Sequence, residues 1–575
     1  MMEELKYKVS GGNEGAKITL ESSFENGIEY VNVHMSMEKA EIPQEFCVTF
    51  SHSANGVRCI WTPENSGELI RANWSWNKVG SALATWMPIA QAVSAEDMNS
   101  ICVAVSDAFI PTEVRVGISE ENATVDYKVR FFTAPTTPIA EYNAKIRIDR
   151  RNIPYCDCIY DVSKWWEQDC GYTPAFVPEA AKEPMDSLWY SFHQMLDADE
   201  IVKECTESVK YGMKTVIIDD GWQTDDNNRG YAYCGDWDVA PKKMGDMAEL
   251  VRRIHEVGMK VMIWYSVPFV GIYSKKCEEF RDKALWWSNN GKFFALDPRY
   301  KEVRDYLIDI YTTAVKEWKL DGLKLDFIDS FKLTEETPVY DARRDYSSLE
   351  EATDALMRTI VDELVKINPE ILLEFRQSYI GPAIRQYGNM LRVADCPYSA
   401  VTNHKQIINL RYTSGNTAVH SDMLMWNKTE APETAALQFV GAIFGVPQVS
   451  VKIWELPDNQ KRMVKHYLEF WREYRDVLLD GKLIGENPLN NYSIAHSTLG
   501  DCSVFVTYSN SLIDVKTERA AVINATSYGS LVVKNCNAKP YSVVNCMGDV
   551  LETGVINGEL CEISVPLSGM IFINK

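Results

Sequence analysis

Between residues 185 and 480 the chain alternates short apolar runs with helical patterns eight times, and this repetition constrains its fold more than any other feature. The runs are SLWYSFHQ, TVIIDDGW, KVMIWYSVPF, GLKLDFIDSF, ILLEFRQS, MLRVADCP, AVHSDMLMW and VPQVSVKIW. Helices are expected near 198–211, 246–258, 301–318, 348–367, 381–387, 403–411, 432–444 and 458–476. In the second of these, Leu250, Val251, Ile254 and Val257 fall on one helical face and Gly258 marks the stop. Eight strand-helix units in about 300 residues fit a (β/α)8 barrel better than an open doubly wound sheet.

The flanks read differently. Up to about residue 165, alternating runs such as EFCVTFSH, SICVAVSD and VDYKVRFF are separated by Gly, Asn, Ser and Pro, without a long amphipathic helix. The pattern returns after about residue 480 in NYSIAHSTL, CSVFVTYS, AAVINATS and GMIFINK. The expected architecture is a multidomain α/β chain: an N-terminal β-sandwich over 1–165, a TIM barrel over 166–480, and an antiparallel β-domain of sandwich type over 481–575. Neither flank carries a repeat or a Gly/Ser-rich linker, so the three parts are expected to pack tightly.

Charge and motifs exclude several function classes. With 59 Lys and Arg against 81 Asp and Glu, the net charge is −22. Nucleic acid and anionic membrane surfaces are therefore not expected partners, because basic patches supply the affinity for both. The N-terminus MMEELKYKVSGG lacks a signal-peptide core, and no run approaches the roughly 20 apolar residues of a spanning helix, so a cytoplasmic location is expected. Fourteen scattered cysteines without zinc spacing read as reduced thiols. Cys156 and Cys158 are the closest pair. G-x-S-x-G, P-loop and G-x-G-x-x-G signatures are absent. His255-Glu256 lacks the second histidine of a zinc-protease helix, and His193 and His420 read as structural or rim residues; no metal and no cofactor are expected.

In a barrel of this kind chemistry sits at the C-terminal strand ends, where the polar residues of this chain gather. They are Asp219, Asp220 and Trp222 after the second strand, Trp264 and Tyr265 on the third, and Lys324, Asp326 and Asp329 on the fourth. Glu374, Arg376 and Gln377 follow on the fifth, Arg392 and Asp395 on the sixth, Asp422 and Trp426 on the seventh. Carboxylates interleaved with tryptophans suit a sugar, whose C–H faces stack on indole and whose hydroxyls pair with Asp and Arg. Glycosidic cleavage needs two carboxyl groups. Asp326 is the expected nucleophile, since Lys324 shares its strand face and keeps it ionised. Asp395 is the expected acid/base, and burial beside Val393 and Ala394 is expected to raise its pKa.

VIIDDGWQ, HEVGMKVMIW followed by a proline, LDP-x-x-x-x-VRDYL, DGLKLDFI and the Asp ending the sixth strand together resemble glycoside hydrolase family 36, the α-galactosidase and raffinose-synthase-related family. The resemblance covers roughly residues 185–480 by motif and the flanks by layout. It implies a retaining mechanism without metal or organic cofactor, Asp326 as nucleophile and Asp395 as acid/base. It further implies that Asp219, Asp220, Trp264 and Lys324 bind sugar hydroxyls, and that an N-terminal Trp reaches the site, with Trp61, Trp74 and Trp76 as candidates. Trp222, Arg376 and Arg392 complete the expected substrate-binding set. Three departures stand out: EFRQSYIGP where the family usually has a Cys- and Gly-rich loop, Ile328 where it has Asn, and Arg392 three rather than four positions before the acid. Arg376 and Gln377 are left to fill a subsite, bind an anionic or differently substituted sugar, or pair with Glu374 as scaffold.

The expected function is a retaining α-glycoside hydrolase acting on α-galactosides or a close relative, with an oligosaccharide or glycoside as partner and the homo-oligomeric state open. The alternatives are a transglycosylase of the raffinose-synthase type, a hydrolase for a modified or anionic α-glycoside, and a non-catalytic sugar-binding protein.

Overall fold

The computed structural model describes residues 4–575. Its centre is a parallel sheet of eight strands in the order 7-6-5-4-3-2-1-8, closed by parallel bridges His420 to Val446 and Leu424 to Val449. The strands are Met185–Ser187, Thr215–Ile218, Lys260–Ser266, Gly322–Asp326, Leu372–Arg376, Met390–Arg392, Ala418–His420 and Gln448–Val449. Gly322 is required where it stands: a Cβ there would lie 2.5 Å from the Leu372 carbonyl oxygen of the neighbouring strand.

Strand periodicity builds the barrel interior in layers. Met185, Ile217, Met262, Leu372, Met390 and Ala418 form an apolar floor. Side chains two residues on return to the same side, and there the sequence turns polar: Asp219, Trp264, Glu374, Arg392 and His420, with Lys324 two residues beyond Gly322. Asp326 and Arg376 stand one further step up.

The expected helices recur at Ala198–Ser208, Met247–Val257, Lys301–Trp318, Leu349–Ile367, Ala400–Thr413, Pro432–Ala435 with Leu437–Ala442, and Asp458–Glu473. The helix expected near 381–387 is only a 3-10 turn, Ile384–Gln386. Almost every residue around it is buried, leaving no solvent face for an amphipathic helix to present. The run KVMIWYSVPF is not one strand either: it ends at Ser266, and Phe269–Gly271 joins Ala284–Ser288 and Phe293–Leu296 in a separate small antiparallel sheet.

In the N-terminal part, sheets of five and six strands enclose an apolar core. A helix, Tyr155–Gln168, follows in a stretch expected to lack a long amphipathic helix. Tyr155, Ile159, Val162 and Trp166 are buried at helical spacing, and Cys156 and Cys158 are both buried in it. All 14 cysteines are free thiols. The C-terminal part has sheets of seven and three strands, mostly antiparallel, with parallel pairs between Cys502–Thr507 and Arg519–Asn524 and between Leu512–Asp514 and Ser530–Lys534.

One continuous apolar core runs through all three parts. Trp61 Nε1 from the N-terminal sandwich donates to Asn409 Oδ1 in the barrel at 3.2 Å and to the Tyr492 hydroxyl beyond it at 3.0 Å. The Tyr155 hydroxyl donates to the Gly485 carbonyl at 2.7 Å. Among the described residues no helix is long and apolar enough to cross a membrane.

Candidate active site

Lys324 and Asp326 stand on one strand face, as their spacing requires. Lys324 Nζ donates to Asp219 Oδ2 at 2.6 Å, both side chains being buried. Lys324 thereby joins strand 4 to the end of strand 2. Burial would lower its pKa, yet Asp219, Asp326 and Glu374 together raise it, so it stays charged.

Asp326 is enclosed by donors. Its Oδ2 accepts from Trp264 Nε1 at 2.9 Å. Its Oδ1 accepts from Arg376 Nε at 2.8 Å, from Phe327 N at 2.9 Å, and from the Tyr379 hydroxyl. Phe327 adopts φ 67°, left-handed backbone uncommon for a bulky side chain. Burial alone would push the Asp326 carboxyl up, but Arg376 and Lys324, with the hydroxyl and indole bonds, hold it well below the usual carboxylate range.

Arg392 is the second hub. Fully buried, it donates to Asp395 Oδ1 at 2.8 Å and to Asp422 Oδ1 at 2.6 Å, and its Nε lies 3.7 Å from Glu374 Oε1. Asp395 has a half-exposed side chain, and its pKa is lowered rather than raised: burial acts upward, but Arg392, Arg376 and Lys324 outweigh it. The expectation from Val393 and Ala394 fails because it counted apolar sequence neighbours and not the guanidinium that reaches the carboxylate. Asp422 is held by the Cys396 amide at 2.7 Å and the Tyr190 hydroxyl at 3.0 Å.

Asp220 sits apart from Lys324. Gln194 and Gln223 each donate to one of its oxygens at 2.7 Å, and burial pushes its pKa up to about 6. Trp222 is fully buried on the outside of the barrel against Trp237, Tyr265 and Trp318, and its Nε1 donates to the Trp264 carbonyl at 2.8 Å. The indole offers no face to a ligand; it supports Trp264 from behind. Of the strand-5 options, pairing of Arg376 with Glu374 is not what the structure contains. Glu374 pairs with Gln448 and lies near Arg392, Gln377 Oε1 accepts from Ala394 N at 3.0 Å, and Arg376 engages Asp326.

The remaining sequence candidates make no direct contact with Asp326 among the described residues. His420 Nε2 lies 2.8 Å from the Ala181 carbonyl, and His255 meets Asp321 at 2.7 Å on the surface. His193 packs edge-on against Trp189. Asp329 accepts from Ser378 Oγ at 2.9 Å in the turn after strand 4, clear of the nucleophile's face. Trp426 donates to Gln460 at 3.0 Å. None of the three N-terminal tryptophans proposed from sequence reaches this region: Trp61 is buried in the seam, Trp74 is exposed, and Trp76 lies under Lys128. Trp86 touches the segment after strand 5 through its backbone, its amide donating to the Ser378 carbonyl at 2.7 Å. Nothing in the sequence around Trp86 signals this. Tyr379 follows the polar run Arg376, Gln377 and Ser378, and only the fold aims it at Asp326.

The barrel segment coincides with a known family. The melibiase family model matches residues 185–481, just over half of the chain. The chain belongs to the melibiase family. It is 28% identical over 241 residues to the bifunctional α-galactosidase/sucrose kinase of Mediterraneibacter gnavus, covering 40% of this chain and 24% of that protein. It is 22% identical over 315 residues to an α-galactosidase of Geobacillus stearothermophilus, covering 51% of this chain and 41% of the relative. A match of 24% identity over 220 residues, 34% of this chain and 19% of the relative, is to an A type blood α-D-galactosamine galactosaminidase of Flavonifractor plautii. These alignments span well under two thirds of each relative. The fold likeness is fuller: the solved Geobacillus α-galactosidase of family 36 superposes with TM-score 0.65 over 100% of this chain and 87% of that one, at 13% identity. Melibiase membership thus rests on the barrel segment, and the flanking sheets share the layout of that solved structure.

Proposed function

We propose that this melibiase-family chain is a retaining α-glycosidase for α-galactosides or a closely related α-glycoside. The observation that carries the reading is a pair of unlike carboxylates that both act on Arg376: Asp326, buried and ringed by donors, and Asp395, half-exposed on a buried arginine. In the first step Asp326 Oδ2 bonds to the anomeric carbon as the glycosidic C–O bond breaks; the electron pair goes to the leaving oxygen, which takes the proton of Asp395. In the second step a water oxygen bonds to the same carbon, Asp395 takes the water's proton, and Asp326 leaves as carboxylate. Two inversions retain configuration.

Asp219, Asp220, Lys324, Trp264 and Arg392 are the proposed sugar-side partners. Arg376 Nη2, without a partner among the described residues, is the donor on that side chain left for a sugar hydroxyl. The charge of Arg376 is already matched by Asp326, which supports a neutral glycone over an anionic one. The test is a panel of aryl α-glycosides of galactose, N-acetylgalactosamine, glucose, xylose and a uronic acid, with and without an acceptor sugar. Turnover of the galactoside with retained anomeric configuration, abolished in Asp326→Ala and restored by azide in Asp395→Ala, is expected. Unchanged turnover in both variants sinks the mechanism; preferential transfer to the added acceptor favours the transglycosylase alternative.

A further inference from the structure

The segment following strand 5 departs most from the family pattern, and its contacts run to the nucleophile. A carboxylate oxygen accepts about two hydrogen bonds. Asp326 Oδ1 receives three, from Arg376 Nε at 2.8 Å, Phe327 N at 2.9 Å and the Tyr379 hydroxyl, whereas Oδ2 receives one, from Trp264 Nε1 at 2.9 Å. We infer that Arg376 and Tyr379 are positioning residues: they clamp Oδ1 of Asp326 and leave Oδ2 as the oxygen that attacks, so that the strand-5 segment acts on the nucleophile itself. The inference rests on the glycosidase reading and deepens it.

The clamp is itself held from three sides. Gln377 N donates to the Arg392 carbonyl at 3.0 Å and Gln377 Oε1 accepts from Ala394 N at 3.0 Å, tying the segment to strand 6. Ser378 Oγ donates to Asp329 Oδ2 at 2.9 Å, tying it to the turn after strand 4. The Trp86 amide binds the Ser378 carbonyl at 2.7 Å, and a Cβ on Gly381 would lie 2.5 Å from the Trp86 carbonyl oxygen. The N-terminal sandwich is therefore pressed against the segment that aims the nucleophile. The Arg376 guanidinium also lies over the Phe327 ring at 5.1 Å and the Tyr379 ring at 5.5 Å, which limits its swing.

The chemistry follows from which oxygen is free. With Oδ1 fully occupied, the lone pair left on Oδ2 forms the bond to the anomeric carbon, and the three donors on Oδ1 stabilise the carboxylate again when deglycosylation expels it. A hydrogen bond to a charged group contributes about 1.5–3 kcal/mol, which corresponds to about ten- to a hundredfold in rate.

The experiment measures kcat/KM against pH for wild type, Tyr379→Phe, Arg376→Met, Arg376→Lys and Gly381→Ala, on whichever aryl α-glycoside the wild type cleaves fastest. A dinitrophenyl leaving group makes the reading independent of Asp395. Tyr379→Phe should lower kcat/KM about ten- to a hundredfold. The acid limb, which reports the free enzyme's nucleophile, should also move to higher pH. Arg376→Met should move that limb further and Arg376→Lys should recover part of the shift. Gly381→Ala, which touches neither carboxylate, should move it in the same direction by loosening the segment. A merely structural role would lower the rate at every pH and leave the limb in place, and that result in Tyr379→Phe, with its thermal midpoint intact, overturns the clamp while leaving the glycosidase standing. A wild type that cleaves no member of the panel overturns the glycosidase reading and the clamp together.

Discussion

Glu204→Gln should make the protein progressively more stable than wild type as pH rises. Asp186 on strand 1 and Glu204 on the following helix are both fully buried, and a single hydroxyl, Ser208 Oγ, lies between them at 2.6 Å and 3.3 Å. One hydroxyl proton cannot serve two carboxylates, Asp186 Oδ1 has no partner among the described residues, and the Ile453 amide serves Glu204. Burial raises both pKa values, and for Glu204 the charge of Asp186 adds to it. The folded protein therefore keeps a proton that the unfolded chain releases near pH 4. With the folded pKa raised, the stabilisation is complete below the unfolded pKa and is lost as pH climbs toward the folded one, at about 1.4 kcal/mol per pH unit for one proton. The amide that Glu204→Gln introduces would supply the missing donor without titrating. Urea unfolding of both proteins at pH 6, 7 and 8 should show their stabilities diverging by about 2.7 kcal/mol over the range. Parallel stability curves would refute the shared proton.

Three further outcomes follow from the site. Lys324→Met leaves buried Asp219 without its cation, and should cost about 3–5 kcal/mol in urea unfolding at pH 7; a loss under about 1 kcal/mol would mean that water replaces the amine. Because Arg392 holds the Asp395 pKa down, kcat/KM for an alkyl α-glycoside, whose leaving group needs the proton, should fall as pH rises already within the acidic range, while a dinitrophenyl glycoside keeps its plateau; identical profiles would contradict Asp395 as the acid. Gly322→Ala forces a Cβ to 2.5 Å from the Leu372 carbonyl and should destabilise by about 1–3 kcal/mol in the same assay, with an unchanged melting curve counting against the tight strand 4 to strand 5 approach.

The barrel was legible because its evidence is periodic: strand and helix patterns repeat whatever the loops contain, and Lys324 and Asp326 share a face by counting. The strand-5 unit was misread because full burial erases the amphipathic contrast that marks a helix, and Tyr155–Gln168 because cysteines and aromatics suit a strand as well as a buried helix. Trp222 looked like a sugar platform by position after strand 2, but the turn sends it outward onto Trp318. The direction of the Asp395 shift and the contact from Trp86 depend on residues distant in sequence, which local pattern does not encode.

The apolar floor beneath Lys324 and Glu374 makes the barrel a blind alley. A sugar seated on Asp326 has no exit below, so under the glycosidase reading a chain cannot thread through and is trimmed only from its end. Departure is then ordered: the aglycone, nearer the opening, leaves first, and the monosaccharide leaves last by the way it came. The freed monosaccharide should accordingly inhibit competitively against substrate, and a noncompetitive pattern would show a second way out.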